Sequence, residues 1–338
     1  MIRYLNETTF QSPLQIQIRS RIVPIQSCAC PRGVLNATYM RLQPRGPGRA
    51  FRVPQTLKRR WSRALLRLGL RPTVANDLTW FELQFEPEIA RRRYHIPLPS
   101  WPPEEVQLRF TGRTYRENLQ QAFSFYTYVR DKIDFQRNWQ PKVLDFGGGW
   151  GRIARLFLRD TPPDRIWICD CLTDSVAWLK QTRNPCHIIQ NGTLPPVKDL
   201  PADFDLIYAF SVFSHLCEAH LRAWLEYLRS CLAPGGFLVI TTRGRQFLRD
   251  HVVLAREQPQ NYIVKALGPP PEVQALYSKG EFQFYATGGG GELTSDFYGE
   301  AIVPREYFEK HYAHFLTQFT DEVPQVDQTV AVFRKPGF

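Results

Sequence analysis

Apolar and polar positions along this chain change period several times, and each change marks an element. Tyr115, Leu119, Ala122, Phe123, Tyr126, Val129 and Ile133 recur at helical spacing, which predicts an amphipathic helix over 115–133. Val143 and Leu144 end a short apolar run that reads as a buried strand, and Asp145 closes it. Glycines follow at 147, 149 and 151, after which Ile153, Leu156 and Phe157 share one face of a helix beginning near Arg152. The same alternation then repeats. Residues 165–170 read as a strand ending in an acid, Asp170, and Val176 and Leu179 belong to the next helix. Residues 187–192 and 205–210 read as third and fourth strands. Leu221, Trp224, Leu225 and Leu228 make another amphipathic helix, stopped by Pro234, Gly235 and Gly236 before a fifth strand at 237–241. Strands alternating with helices predict a parallel sheet covered on both faces.

Beyond that strand the pattern loosens. Residues 245–300 exceed an ordinary connection and contain a helical stretch at 247–257, prolines at 269–271 and an aromatic run from Phe282 to Tyr285. Four consecutive glycines at 288–291 cannot hold a shape by themselves, so a mobile loop is expected there. Residues 305–314 read as a helix, and 315–322 and 328–334 as a closing pair of strands. Before the first helix, the prolines of 96–103 enforce an extended connector.

Composition sharpens this picture in two ways. The chain has 338 residues, 43% of them hydrophobic, enough for one large or two modest domains. No apolar run approaches a membrane span and no signal-peptide core is visible, so an intracellular, cytoplasmic protein is expected. The cysteines at 28, 30, 169, 171, 186, 217 and 231 form no paired ligand set, so neither a metal site nor disulfides are expected.

Charge is uneven. Residues 1–71 carry +13, with Glu7 as the sole acid, while the whole chain carries +11. Within that segment Leu57, Trp61, Ala64, Leu65 and Leu68 share one face of a helix, and Arg60, Arg63, Arg67 and Arg71 form a second stripe. Such a helix suits an anionic membrane or nucleic-acid phosphates, or it packs on its own protein with a solvated arginine face. The expected division is a basic extension and connector over 1–113, then one catalytic domain over 114–338.

The glycine turn is the candidate binding element. A strand turning sharply into a helix needs positive φ, and a ligand pressed on the backbone leaves no room for a Cβ. Two nucleotide patterns fit. Gly149, Gly151 and Ala154 loosely satisfy the dinucleotide fingerprint. Asp145, Gly147, Gly149 and Gly151 fill every place of D-x-G-x-G-x-G. An acid beside a pyrophosphate would be repulsive. Asp170, at the second strand end, can accept from ribose hydroxyls in either reading. Asn191 can meet an adenine or simply close an Asn-Gly turn, and Ser211 leaves the carboxyl end of the fourth strand, where open sheets bind ligands. His215, one turn further on, is either a general base or a structural histidine. Tyr285, Tyr298 and Glu300 are weaker candidates for the base, because their segments follow the sheet's ligand edge, and Tyr285 and Tyr298 are also candidates for binding the acceptor.

With Asp145, the three glycines, Asp170, the stretch from Phe204 to Leu216 and the Pro-Gly-Gly stop in this order, the chain resembles the class I S-adenosylmethionine (SAM)-dependent methyltransferases of small-molecule type. The resemblance implies a doubly wound seven-stranded sheet of order 3-2-1-4-5-7-6, last strand antiparallel, with SAM as cofactor. It also implies that the helix over 115–133 covers the cofactor and that the 245–300 insertion acts as a substrate lid. Relatives often place a histidine before the glycine that follows the fifth strand, where this chain has Arg243 and Gly244. The expected acceptor is a small molecule such as a sugar or secondary metabolite, at oxygen or nitrogen. RNA or another polyanion, guided by residues 1–71, is the alternative. Residues 277–300 carry one cation, Lys279, against Glu281, Glu292, Asp296 and Glu300, a balance that repels phosphate and favours the small acceptor.

Overall fold

The computed structural model describes residues 74, 76–133 and 140–337. The basic helix expected over 57–71, and the extension before it, lie outside the described residues. Among the described residues, four helices precede the first strand: α1 (Asp77–Leu83), α2 (Pro87–Tyr94), α3 (Glu104–Thr111) and α4 (Tyr115–Lys132). Local chemistry sets their ends. The Asn76 side chain accepts from Thr79 N–H at 2.7 Å to cap α1, Pro87 opens α2, and Gly112 stops α3 at φ +64. The proline-rich connector between α2 and α3 is non-helical, as its composition requires.

The alternating core follows: β1 (Val143–Phe146), α5 (Ala154–Phe157), β2 (Ile166–Asp170), α6 (Thr173–Gln181), β3 (His187–Gln190), β4 (Phe204–Ala209), α7 (Glu218–Cys231) and β5 (Leu232–Thr242). Next come α8 (Arg245–Glu257), α9 (Tyr262–Leu267), α10 (Pro270–Ser278), β6 (Gln283–Tyr285), β7 (Glu300–Ile302), α11 (Arg305–Tyr312), β8 (Leu316–Thr320) and β9 (Thr329–Arg334). Seven strands form the main sheet in the order β3-β2-β1-β4-β5-β9-β8, and β6 and β7 pair separately. All main-sheet pairings are parallel except those of β9, which runs antiparallel to β5 and to β8. This is the sheet expected from the sequence, with β6 and β7 added inside the insertion.

Alternate residues of each central strand enter opposite cores. Val143, Leu206 and Tyr208 join Trp80, Phe125 and Phe157 on one face, whereas Leu144, Ile207 and Ala209 join Trp224, Phe308 and Phe333 on the other. Burial on both sides is why these strands read as continuous apolar runs. Residues 77–111 contribute Trp80, Phe81, Leu83 and Ala90 to the first of these cores, and Trp80 Nε1 donates to Leu156 O at 3.0 Å. Trp80 is completely buried, a contribution of about 3 kcal/mol in transfer free energy. A third, smaller core joins α8, α9 and α10 through Phe247, Leu254, Ile263 and Val273. Among the described residues, no helix is long and apolar enough to cross a membrane.

Candidate active site

The carboxyl ends of β1, β2, β3 and β4 open onto one cavity of about 780 Å³. Its floor is the glycine turn. Gly147 and Gly148 N–H groups donate to Cys169 O at 2.8 and 3.1 Å, fastening the turn to β2. Gly147 sits at φ +72, and a Cβ there would overlap Val212 Cγ2, so the turn and the segment after β4 approach only because the side chain is absent. Gly149 lies at φ +55, and an added Cβ would have Phe110 Cδ1 as its nearest neighbour at 3.7 Å, leaving the rest of its surroundings open. Gly151 behaves differently from the expectation. A Cβ there would meet Asn184 Nδ2 at 2.5 Å and Leu179 Cδ2 at 2.9 Å, so this glycine serves the packing of the turn on α6 rather than the cavity. The helix after it is a single turn, α5, so little macrodipole faces the cavity.

Two carboxylates stand at the cavity with different partners. Asp170 accepts from Gly149 N–H at 2.8 Å and Leu172 N–H at 2.9 Å, one on each oxygen. Burial pushes its carboxyl up, and these backbone donors oppose the shift. Asp145 is 2% exposed; the buried Tyr208 hydroxyl neighbours its carboxyl, and no described residue makes a well-formed hydrogen bond to its Oδ2. Burial pushes this carboxyl up to about 7. Asn191 lines the cavity too: its Nδ2 donates to Gly192 O at 2.7 Å, and its Oδ1 has no partner among the described residues. Arg152 extends the same wall, held by Nη1 on Asn118 O at 3.1 Å and Gln121 Oε1 at 2.9 Å.

His215 occupies the opposite wall. Its Nδ1 lies 2.7 Å from Gly299 O, a carbonyl that can only accept, so Nδ1 carries the proton. The imidazole is 5% exposed, and burial holds its pKa below the ordinary value. The neutral ring therefore turns a free lone pair on Nε2 toward Ser211 Oγ, 3.4 Å away. Ser211 sits at φ +59, with its N–H on Thr241 Oγ1 at 2.7 Å. The Tyr298 ring stacks on the imidazole at 4.9 Å with an interplanar angle of 8°. Tyr285 does not join this group. Its hydroxyl donates to Gln283 Oε1 at 2.8 Å, and it packs against the small core of the insertion, outside the cavity. The register of β6 on β7 puts it there, opposite Glu300.

The roof corrects two further expectations. α4 does not line the cavity; Arg109, Phe110 and Thr111 at the end of α3 do. The glycine run is stitched rather than loose. Gly288 N–H donates to Tyr298 O at 2.9 Å and Gly289 N–H to Leu293 O at 2.8 Å. A Cβ on Gly289 would meet Tyr298 Cε1 at 2.8 Å, so the glycines allow a hairpin to lie on the tyrosine. Glu292 then accepts from Thr173 Oγ1 at 2.9 Å and Thr173 N–H at 3.2 Å, tying the hairpin to the start of α6. Arg109 pairs with Asp174 beside it.

The floor is braced from below by Arg155. Its Nε donates to Gln84 Oε1 at 3.0 Å, its Nη2 reaches Gln84 O and Pro99 O at 3.3 Å, and the guanidinium lies 4.0 Å from the Trp101 ring. Trp101 in turn packs on Trp150, a cavity residue within the glycine turn.

Residues 144–238 match the family described as a methyltransferase domain. The matched stretch runs from β1 into β5, and the sheet order and the antiparallel β9 are those of its class I members. Residues 144–238 are a methyltransferase domain, set in a sheet of class I topology. No curated protein matches the chain. Among solved structures, similarity extends to 1,6-didemethyltoxoflavin-N1-methyltransferase of Burkholderia thailandensis, which has bound S-adenosylhomocysteine. Identity is 15%, covering 70% of this chain and 94% of that one, with a TM-score of 0.43. An amino pentose methyltransferase of Micromonospora echinaspora, with bound SAM, is 15% identical over 70% of this chain and 98% of that one, with a TM-score of 0.43. The magnesium protoporphyrin IX methyltransferase of a Synechocystis strain is 11% identical over 77% and 100%, with a TM-score of 0.40.

The methyltransferase cavity fits its cofactor. Asp145 offers an unpartnered oxygen to an ammonium, Asp170 keeps a second lone pair on each oxygen for hydroxyls, and Asn191 offers Oδ1 to an amino group. Phe110, Trp150, Arg152 and Glu292 were not foreseen as cavity residues. Trp150 and Arg152 lie inside the motif itself, and an acid bordering a glycine run is the signal for Glu292.

Proposed function

We propose that the enzyme transfers the methyl group of SAM to a small-molecule acceptor held between the ends of β1 and β4 and the glycine hairpin. The observation that carries this reading is the continuity of one cavity of about 780 Å³ from Asp145 and Asp170 to His215 and Tyr298. That volume accommodates a cofactor together with a modest second ligand. In this reading Asp145 takes the cofactor's ammonium, Asp170 its ribose and Asn191 its adenine, over a floor of Gly147 and Gly149. SAM supplies a methyl group on a positively charged sulfur, an electrophile open to in-line attack by an aligned nucleophile. The protein aligns the acceptor and excludes water, the two contributions that closure of the hairpin by Glu292 supports. His215 accepts the acceptor's proton on Nε2, and Tyr298 walls the acceptor against the imidazole. A sugar or secondary metabolite is the class of acceptor that such a partly apolar, enclosed site suits.

The test is transfer of label from methyl-labelled SAM into a small-molecule extract and, separately, into total RNA, with the full chain and with Tyr298→Ala. Label in the extract, reduced at least about tenfold by the substitution, is expected from loss of alignment. Label confined to RNA and indifferent to Tyr298 would overturn the small-acceptor reading.

A further inference from the structure

Behind His215 stands a carboxylate for which the functional reading has no use. Glu300, in β7, is completely buried. Its Oε2 accepts from Arg243 Nε at 2.9 Å, while its Oε1 lies 3.7 Å from His215 Nδ1 and has no hydrogen-bond partner among the described residues. Arg243, at the exit of β5, is itself buried and packs 4.8 Å from the Phe247 ring. A buried ion pair is seldom worth its desolvation for stability alone, since apolar residues of similar volume usually do as well.

We infer that Glu300, held in place by Arg243, is a positioning residue for His215, and that the acceptor atom is therefore a hydroxyl oxygen. The inference rests on the methyl-transfer reading and adds the acceptor atom to it. An amine attacks through the lone pair of its neutral form and sheds its proton afterwards, so a base contributes little to its transition state. A hydroxyl is a poor nucleophile until its proton begins to leave, and it needs a base within reach. His215 is arranged for that need. It is neutral, its tautomer is fixed by Gly299 O, and its free Nε2 already faces a hydroxyl, that of Ser211. As the O–H proton moves to Nε2, the acceptor oxygen forms its bond to the methyl carbon and the carbon–sulfur bond breaks. A methyl ether and neutral S-adenosylhomocysteine result, and the proton rests on the imidazole until water removes it. The imidazolium so formed is stabilised by the unpartnered Oε1 of Glu300, in surroundings of low polarity where that attraction is strong.

The charged and titratable groups facing His215 are few. Glu300 favours its protonated form and Arg243 disfavours it; the stacked Tyr298 phenol is held neutral by burial. Tyr262, on α9, faces the Glu300–Arg243 pair from beyond.

The experiment follows the His215 imidazole by NMR across pH in the full-length, ligand-free protein, wild type against Glu300→Gln. Loss of the carboxylate is expected to lower the His215 pKa by about one unit or more. Glu300→Asp should recover part of the shift. If Glu300→Gln does not fold, Arg243→Gln probes the same cluster from the other side, because losing the guanidinium's repulsion should raise the His215 pKa. An unmoved titration in the folded variants would overturn the positioning role whatever the enzyme methylates. In turnover, Glu300→Gln should lower kcat about tenfold, carry the acid limb of its pH profile downward and leave KM for SAM unchanged. Transfer from methyl-13C SAM into the small-molecule extract should yield a carbon shift in the methyl-ether range. An N-methyl shift would overturn the oxygen assignment while leaving the methyltransferase reading intact.

Discussion

The two walls of the cavity are made in opposite ways. The cofactor wall comes from consecutive strand ends, β1, β2 and β3, and is held by backbone contacts: a glycine turn pinned to Cys169 O and an acid held by two N–H groups. The acceptor wall is assembled from side chains whose partners are 57 to 119 residues apart in sequence, His215 with Gly299, Arg243 with Glu300 and Thr173 with Glu292. A backbone wall tolerates few substitutions but presents the same shape to one invariant ligand. A side-chain wall can be rebuilt for a new acceptor without disturbing the sheet. On the proposed reading, the comparison places acceptor specificity in the contacts of 289–300 with the segment after β4.

Substitutions should separate the walls. The largest effect is expected from His215→Gln, which removes the base. The kcat should fall about 100-fold or more, while S-adenosylhomocysteine affinity, measured by calorimetry, stays within about twofold. Equal losses in both would join the walls into one. Asp145→Asn should do the reverse, weakening S-adenosylhomocysteine about tenfold, the worth of a charge-assisted hydrogen bond. Its pH dependence sharpens the point. Burial raises this carboxyl to about 7, so below that pH the wild-type site must release a proton to meet the ligand's ammonium. Affinity should therefore rise with pH up to about 7 and then level off, and the asparagine variant should show no such rise. The sign for folding is opposite. A carboxyl that holds its proton more tightly when folded costs the ligand-free protein stability as pH rises from about 4 through 7, and the cost is complete above that. Denaturant titrations at pH 5 and 8 would show it, and a flat wild-type affinity profile would remove Asp145 from the ammonium. The smallest effect is expected at Tyr285. Its hydroxyl bonds only Gln283 at the insertion's own core, so Tyr285→Phe should change neither rate nor affinity and should cost about 1 kcal/mol of stability. A tenfold loss of kcat would return this residue to the acceptor wall.

The same contrast explains what could be read from the sequence. Asp145, Gly147 and Asp170 were legible because strand ends and glycine turns are local; apolar runs alternating with helical faces implied a parallel sheet, and its strand order came with the family resemblance. Gly151 fitted the motif but answers to Leu179 and Asn184, contacts that spacing cannot distinguish from ligand clearance. The glycine run read as a mobile loop because its backbone partners, Tyr298 O and Leu293 O, lie beyond the run itself. Phe110 was invisible for a similar reason: nothing along α3 announces that its last turn faces a loop nearly forty residues later. Tyr285 and Tyr298 looked alike in sequence, and one register of β6 on β7 separated them.

Arg155 bears on how the molecule comes into being. Its guanidinium follows the glycine turn, yet every group it grips, Gln84, Pro99 and Trp101, lies at least 54 residues earlier in the chain. During synthesis the helices α1 to α3 leave the ribosome before β1, and they hold apolar faces that have no sheet to cover. The turn emerges later, so the groups that grip its arginine are synthesised before the cofactor floor they brace.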